Sequence, residues 1–66
     1  MVITLNGEMK ECPDGITVEK LLDLYKIDRH RTAVELNREI IPKKEQSTKV
    51  LKHADVLEVV TFVGGG

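Results

Sequence analysis

The sequence predicts an α+β domain in two layers, a mixed sheet of four to five strands packed on one helix. Three observations predict it. Short β-branched runs recur at Val2-Ile3-Thr4-Leu5, at 32–36, at Ile40-Ile41-Pro42 and at 56–62. Only residues 18–25 place apolar side chains at helical spacing. Turn chemistry separates the runs, at Asn6-Gly7, Pro13-Asp14-Gly15, Asn37-Arg38-Glu39 and 52–55. Strands with one helix on one face make a two-layer α+β domain.

Each element has its own physical reason. Asn6-Gly7 behind the first strand is a hairpin signal, because both residues tolerate positive φ. Residues 8–12 form the returning strand, a polar one in which Met9 and Cys12 supply the apolar contact. Pro13-Asp14-Gly15 combines a fixed φ, a side-chain acceptor and a permissive glycine, which makes a turn. Thr17 is placed as a helix N-cap. Ile16 and Leu21 flank it at the spacing of a hydrophobic staple. Val18, Leu21, Leu22 and Tyr25 fall at i, i+3, i+4 and i+7 and give one apolar face. Glu19, Lys20, Asp23 and Lys26 fall elsewhere, and the helix is expected to fray near Ile27-Asp28.

In the third strand Val34 and Leu36 share one face and Glu35 takes the other. Pro42 cannot donate to a ladder and marks an edge or an end of the fourth strand. Residues 43–49 are polar and irregular, and Val50-Leu51 is expected as a short helical turn that plugs the core. The strand at 56–62 is the longest. Alternation puts Leu57, Val59 and Thr61 on one face and Val56, Glu58, Val60 and Phe62 on the other. Glu58 is costly to bury unpaired, so Leu57 and Val59 are expected inside. Val60 and Phe62 are then left exposed beside the C-terminus, as an apolar pair that suits partner docking.

Size and composition narrow the function classes. A chain of 66 residues makes one domain at most and buries only about 60% of the surface its unfolded form exposes. There is little room for a pocket beside the core. Net charge is −1, and the halves are balanced, with six acids and five bases in 1–33 and five of each in 34–66. With no basic block and only Tyr25 and Phe62 for stacking, nucleic-acid binding is disfavoured. The single Cys12 allows no internal disulfide and no multi-cysteine metal cluster. It fits a reducing compartment. No stretch approaches the roughly 20 apolar residues of a membrane span, and no signal peptide precedes the first strand. A cytoplasmic protein, monomeric when free, is the expectation.

The chain ends in Gly64-Gly65-Gly66 behind the last strand. Glycines pack nothing and carry the largest backbone entropy. They make a thin tail, free of side chains, that ends in an α-carboxylate. Such a tail can be threaded into a narrow site of another protein, or it can be a frayed end. The tail alone leaves both open. The expected organisation is a domain at 1–63 and a flexible tail at 64–66. Other chemistry-bearing residues have plain readings. Cys12 has no neighbouring His or Lys to lower its pKa, and Glu11 and Asp14 raise it. His30 and His53 lie 23 positions apart without ligand spacing. Glu8, Glu11, Asp14 and Glu19 are scattered carboxylates, and Lys43, Lys44 and Lys49 belong to a solvated loop.

The order of hairpin, helix, two short strands and a long last strand is that of the β-grasp, or ubiquitin-like, fold. It puts the last strand parallel to the first, near the middle of the sheet. Beyond the fold, the chain resembles the ThiS family, sulfur-carrier proteins of thiamin (thiazole) synthesis. The resemblance rests on Leu5-Asn6-Gly7-Glu8 and on Pro13-Asp14-Gly15-Ile16-Thr17-Val18 leading to Leu21-Leu22. It continues through Val34-Glu35-Leu36-Asn37-Arg38-Glu39-Ile40-Ile41-Pro42, Asp55-Val56-Leu57-Glu58-Val59-Val60 and the terminal glycines. The segment from Val34 to Pro42 is the most discriminating part. Cys12 departs from the family, which needs no cysteine there.

The resemblance implies a carrier that is not itself an enzyme. The Gly66 carboxylate would be adenylated by an ATP-dependent partner of the ThiF type. Sulfur drawn from cysteine by a desulfurase would replace AMP and leave a thiocarboxylate. Thiazole synthase, ThiG, would then take the sulfur. Gly64 and Gly65 would thread the tail into the partner's site. No G-x-x-x-x-G-K-[ST] loop is present, so ATP and its magnesium ion belong to the partner and no cofactor is expected on this chain. Two alternatives share the tail: a carrier for molybdopterin synthase, and a ubiquitin-like modifier or interaction module. The molybdopterin carriers tend to be longer and to approach their glycines through a proline, where this chain has Thr61-Phe62-Val63.

Overall fold

A computed structural model describes residues 1–62. The expected domain end at 63 and the tail at 64–66 lie outside the described residues. Five strands and one α-helix follow in the order β1 (Val2–Leu5), β2 (Glu8–Glu11), α1 (Val18–Leu24), β3 (Thr32–Leu36), β4 (Glu39–Ile41) and β5 (Val56–Thr61). Single 3-10 turns stand at Arg29–Arg31 and Lys43–Glu45. The sheet order is β2-β1-β5-β3-β4. β1 and β5 are parallel, and the other neighbours are antiparallel. This mixed sheet packed on one helix is the β-grasp arrangement.

Two hairpins of the same design open and close the sheet. Asn6 and Gly7 have φ of 49° and 81°, and Asn37 and Arg38 have φ of 51° and 72°. Both are two-residue turns with positive φ at both positions, whose twist matches that of the flanking strands. Glu39 already pairs with Leu36, so the second turn is one residue shorter than the Asn37-Arg38-Glu39 expected from the sequence.

Helix α1 starts where its cap allows. The Thr17 hydroxyl oxygen accepts from the Lys20 N–H at 3.2 Å. The helix ends at Leu24, a few residues before the expected fraying point. The cause is a closed C-terminal motif in place of a frayed end. The Ile27 N–H donates to the Leu22 carbonyl at 2.8 Å and the Lys26 N–H to the Asp23 carbonyl at 3.1 Å. Lys26 sits at φ 57°, in the left-handed position that glycine usually takes in this motif.

The core lies between the helix and one sheet face. Val18, Leu21 and Leu22 from α1 meet Ile3, Leu5, Val34, Leu36, Ile41 and Leu57 from the sheet. Cys12, Ile16 and Leu51 fill the rim from the connections. Two expectations fail here. Met9 is 78% exposed, because its register opposite Thr4 puts it on the outer sheet face. Val50-Leu51 is extended and forms no helical turn. Val50 bridges Thr17, and the Leu51 N–H donates to the Ile16 carbonyl at 2.9 Å. Leu51 still plugs the core. The helical turn comes earlier, at Lys43–Glu45, and leads to Gln46, which is fully buried.

Candidate functional site

The strand that carries the C-terminus is held from both sides. β3 lies along β5 from Leu36 opposite Leu57 to Thr32 opposite Thr61. β1 covers only its first part, with Thr4 beside Val56 and Leu5 beside Leu57. Just past the end of that strand, the Phe62 N–H donates to the Arg31 carbonyl at 2.8 Å. The two hairpin asparagines add further clamps. Asn6 Oδ1 accepts from the Val59 N–H at 2.7 Å, and Asn6 Nδ2 donates to the Val59 carbonyl at 3.3 Å. The side-chain amide thus imitates one more rung of the β1–β5 ladder. Asn37 Oδ1 accepts from the Val56 N–H at 2.9 Å, while its Nδ2 donates to Asp55 at 3.0 Å. β5 is therefore held on the β1 side as far as Val59 and on the β3 side as far as Phe62.

The two faces of β5 divide as alternation requires. Leu57 is fully buried and Val59 half-buried. Val60 is 60% exposed and Phe62 50% exposed. Val56 is exposed on the same side, with Ile40 of β4 and Met9 of β2 elsewhere on that outer face. Glu58 lies on it too, directly opposite Glu35 of β3. Alternation along the strand singles out Val60 and Phe62 but not Ile40 or Met9. The roles of Asn6 and Asn37 are not legible in the sequence either. Their turn positions mark positive φ, but nothing local signals a side-chain contact across 53 residues.

The remaining candidates stay apart. Cys12 is buried, and burial pushes its thiol pKa up; the Met1 ammonium opposes this and Asp14 adds to it. Its thiol is thereby held away from the reactive thiolate form. His53 is structural: its Nδ1 accepts from the Val2 N–H at 3.1 Å and terminates β1. The His30 carbonyl accepts from Lys43 Nζ at 3.0 Å. Among the described residues no three His, Cys, Asp or Glu side chains gather as a metal site, and no cavity is found. Among the described residues no helix is long and apolar enough to cross a membrane. Gly64, Gly65 and Gly66 lie outside the described residues.

A single-helix β-grasp body whose central strand leads into terminal glycines defines a protein of the ubiquitin-like class. Within that class the chain belongs to the ThiS family, whose model matches residues 3–66. It is 39% identical over 66 residues to the sulfur carrier protein ThiS of Bacillus subtilis, with 98% of this chain and 100% of that one covered. It is also 39% identical to a thiazole synthase of Paramagnetospirillum magneticum, and there all of this chain spans only 20% of the relative's length. The crystal structure of the thiamine biosynthesis protein ThiS from Geobacter metallireducens superposes with a TM-score of 0.86 at 29% identity, and each chain is covered in full.

Proposed function

We propose that this chain carries sulfur for thiamin (thiazole) synthesis on the carboxylate of Gly66, as a substrate of enzymes and not as a catalyst. One observation carries the reading: the family match spans residues 3–66, from β1 to Gly66, on a body whose last strand is the central one of the sheet. The chemistry follows from the carboxylate. With an ordinary pKa of about 3.3–3.7 it is an anion at neutral pH and a poor electrophile. Activation is needed first. A ThiF-type adenylyltransferase, using ATP and magnesium, lets a Gly66 oxygen attack the α-phosphorus and releases pyrophosphate. The outer sulfur of a persulfide, formed from cysteine by a desulfurase, then attacks the acyl carbon, and AMP leaves with its oxygen. A thiol next attacks the inner sulfur of the acyl persulfide so formed, supplies the two electrons that break its S–S bond and ends as a disulfide, and a thiocarboxylate remains on Gly66.

A thiazole synthase of the ThiG type is the receiver of that sulfur. The relative from Paramagnetospirillum supports this, because a region like this chain forms part of a thiazole synthase there. Gly64 and Gly65 thread the tail. Three residues span about 10 Å at roughly 3.3–3.6 Å each, enough to carry the carboxylate off the body into an enclosed site. Val60 and Phe62 form the apolar docking pair beside it, and their exposure supports that role. The test is incubation with the cognate activating enzyme, ATP and a cysteine-fed desulfurase. The expected product is a chain whose intact mass shows one oxygen exchanged for sulfur. Ladders of the chain on lysines of other proteins would mark a modifier instead, and an unchanged mass would mark a plain binding module.

A further inference from the structure

The outer sheet face changes character along β3 and β5. Glu35 lies directly opposite Glu58, and two residues further along Ala33 lies opposite Val60. The next step brings Arg31 beside Phe62, whose N–H donates to the Arg31 carbonyl at 2.8 Å. All six residues are exposed. Successive rows on one face stand about 6.7 Å apart. The apolar row Ala33–Val60 therefore sits midway between two carboxylates on one side and a guanidinium on the other. Among the described residues no oppositely charged group pairs with Arg31, Glu35 or Glu58.

We infer that this face is self-complementary and closes on a second copy of the chain. A twofold axis laid along the Ala33–Val60 row, between two sheets packed face to face, reverses the strand direction and sets each strand over its own counterpart. Val60 then meets Val60, and Ala33 meets Ala33. Arg31 of the second copy arrives over Glu35, one strand away from Glu58, and Phe62 of the second copy arrives over Glu58. The symmetry makes each contact twice, as an isologous interface requires. Centring the axis on the Glu35–Glu58 row instead would set four carboxylates against one another. Packed sheets stand about 10 Å apart, a gap that Arg and Glu side chains bridge from opposite sides. The pairing relieves the like-charge opposition that the free chain carries. Five strands at about 4.8 Å make a face about 24 Å wide and about 15–20 Å long, on the order of 400 Å² per copy. A stable interface takes roughly 800 Å² from each partner, so this association is weak. The dilute chain is a monomer, and the dimer forms as concentration rises. The dimer covers Val60 and Phe62. On the docking role proposed above, it is a resting form that opens before the activating enzyme binds.

Analytical ultracentrifugation of the chain alone gives the test, and with no enzyme present its outcome is independent of the carrier reading. The apparent mass should rise from 7.4 kDa toward twice that value between about 10 µM and about 1 mM. Arg31→Glu and Glu35→Arg each set like charges at both symmetric contacts. Either should keep its thermal midpoint and weaken self-association at least about tenfold. Mixing the two variants, or combining both changes in one chain, puts opposite charges back over each other and should restore the wild-type association. Lys20→Glu makes an equal change of charge on α1, in the other layer, and should leave association unchanged. A monomer at every concentration would overturn the inference and leave the face to the activating enzyme alone. A dimer that neither single variant weakens would overturn it as well. So would a weakening that neither mixing nor the double variant reverses.

Discussion

Leu57 and Val60 stand three residues apart on β5 and differ little in chemistry, yet Leu57 is fully buried and Val60 is 60% exposed. The inner face of the strand meets α1 and holds the domain together. The outer face shows Val56, Val60 and Phe62 to solvent, beside a Glu35–Glu58 pair set directly opposite each other. Like charges at that position are destabilising in the free chain. A face built for stability alone would carry neither the apolar side chains nor the opposed carboxylates. On the docking role proposed above, stability and recognition are divided between two faces of one strand, and substitutions can separate them.

The largest effect is expected on the inner face. Leu57→Ala should cost about 2–5 kcal/mol through lost burial and the cavity left behind. In a chain of this size that approaches the whole stability. Thermal or urea denaturation should show a largely unfolded variant; a wild-type midpoint would break the division of faces. Val60→Asp on the outer face should stay within about 0.5 kcal/mol of the wild type in stability and lose partner binding, read by calorimetric titration with the activating enzyme. A large loss of stability would mean that Val60 serves the core.

Two further substitutions sharpen the contrast between body and tail. Gly65→Ala should leave the denaturation curve unchanged and sharply reduce adenylation, because a Cβ there crowds the channel and the approach to the acyl carbon. Normal adenylate formation would contradict the threading role. The smallest effect is expected outside β5, at the end of α1. Lys26 holds φ 57°, which costs an L-residue roughly 1–2 kcal/mol. Lys26→Gly should recover about 1 kcal/mol of this, seen as a modest rise in thermal midpoint with unchanged adenylation.

Much of this architecture is legible in the sequence, and the reasons are local. Asn6-Gly7 and Thr17 announce their turn and cap through their own chemistry. The spacing of Val18, Leu21, Leu22 and Tyr25 gives the helix face, and alternation along 56–62 gives both faces of β5. The illegible parts depend on partners distant in sequence. Met9 looks like core material until its register opposite Thr4 is known. Val50 becomes extended because Thr17 pairs with it across the domain. The helix stops early through a closing motif centred on Lys26, a residue that composition rules do not mark as a terminator. The clamp of Asn6 on Val59 joins residues 53 apart. At the site, the tail is legible as chemistry, whereas the place of Ile40 and Met9 on the outer sheet face emerges only once the strand order and register are known.

The chain offers two places for sulfur chemistry, and they differ in kind. Cys12 is buried, and its thiol is held protonated by that burial. The Gly66 carboxylate is the attachment point in the carrier reading proposed above. Fragmentation mass spectrometry of the chain, after reaction with the cognate activating enzyme, ATP and a cysteine-fed desulfurase, separates them directly. The account predicts that one oxygen is replaced by sulfur on the C-terminal fragment that ends in Gly66, with Cys12 unmodified. Sulfur added at Cys12 with an unchanged C-terminal fragment would contradict it.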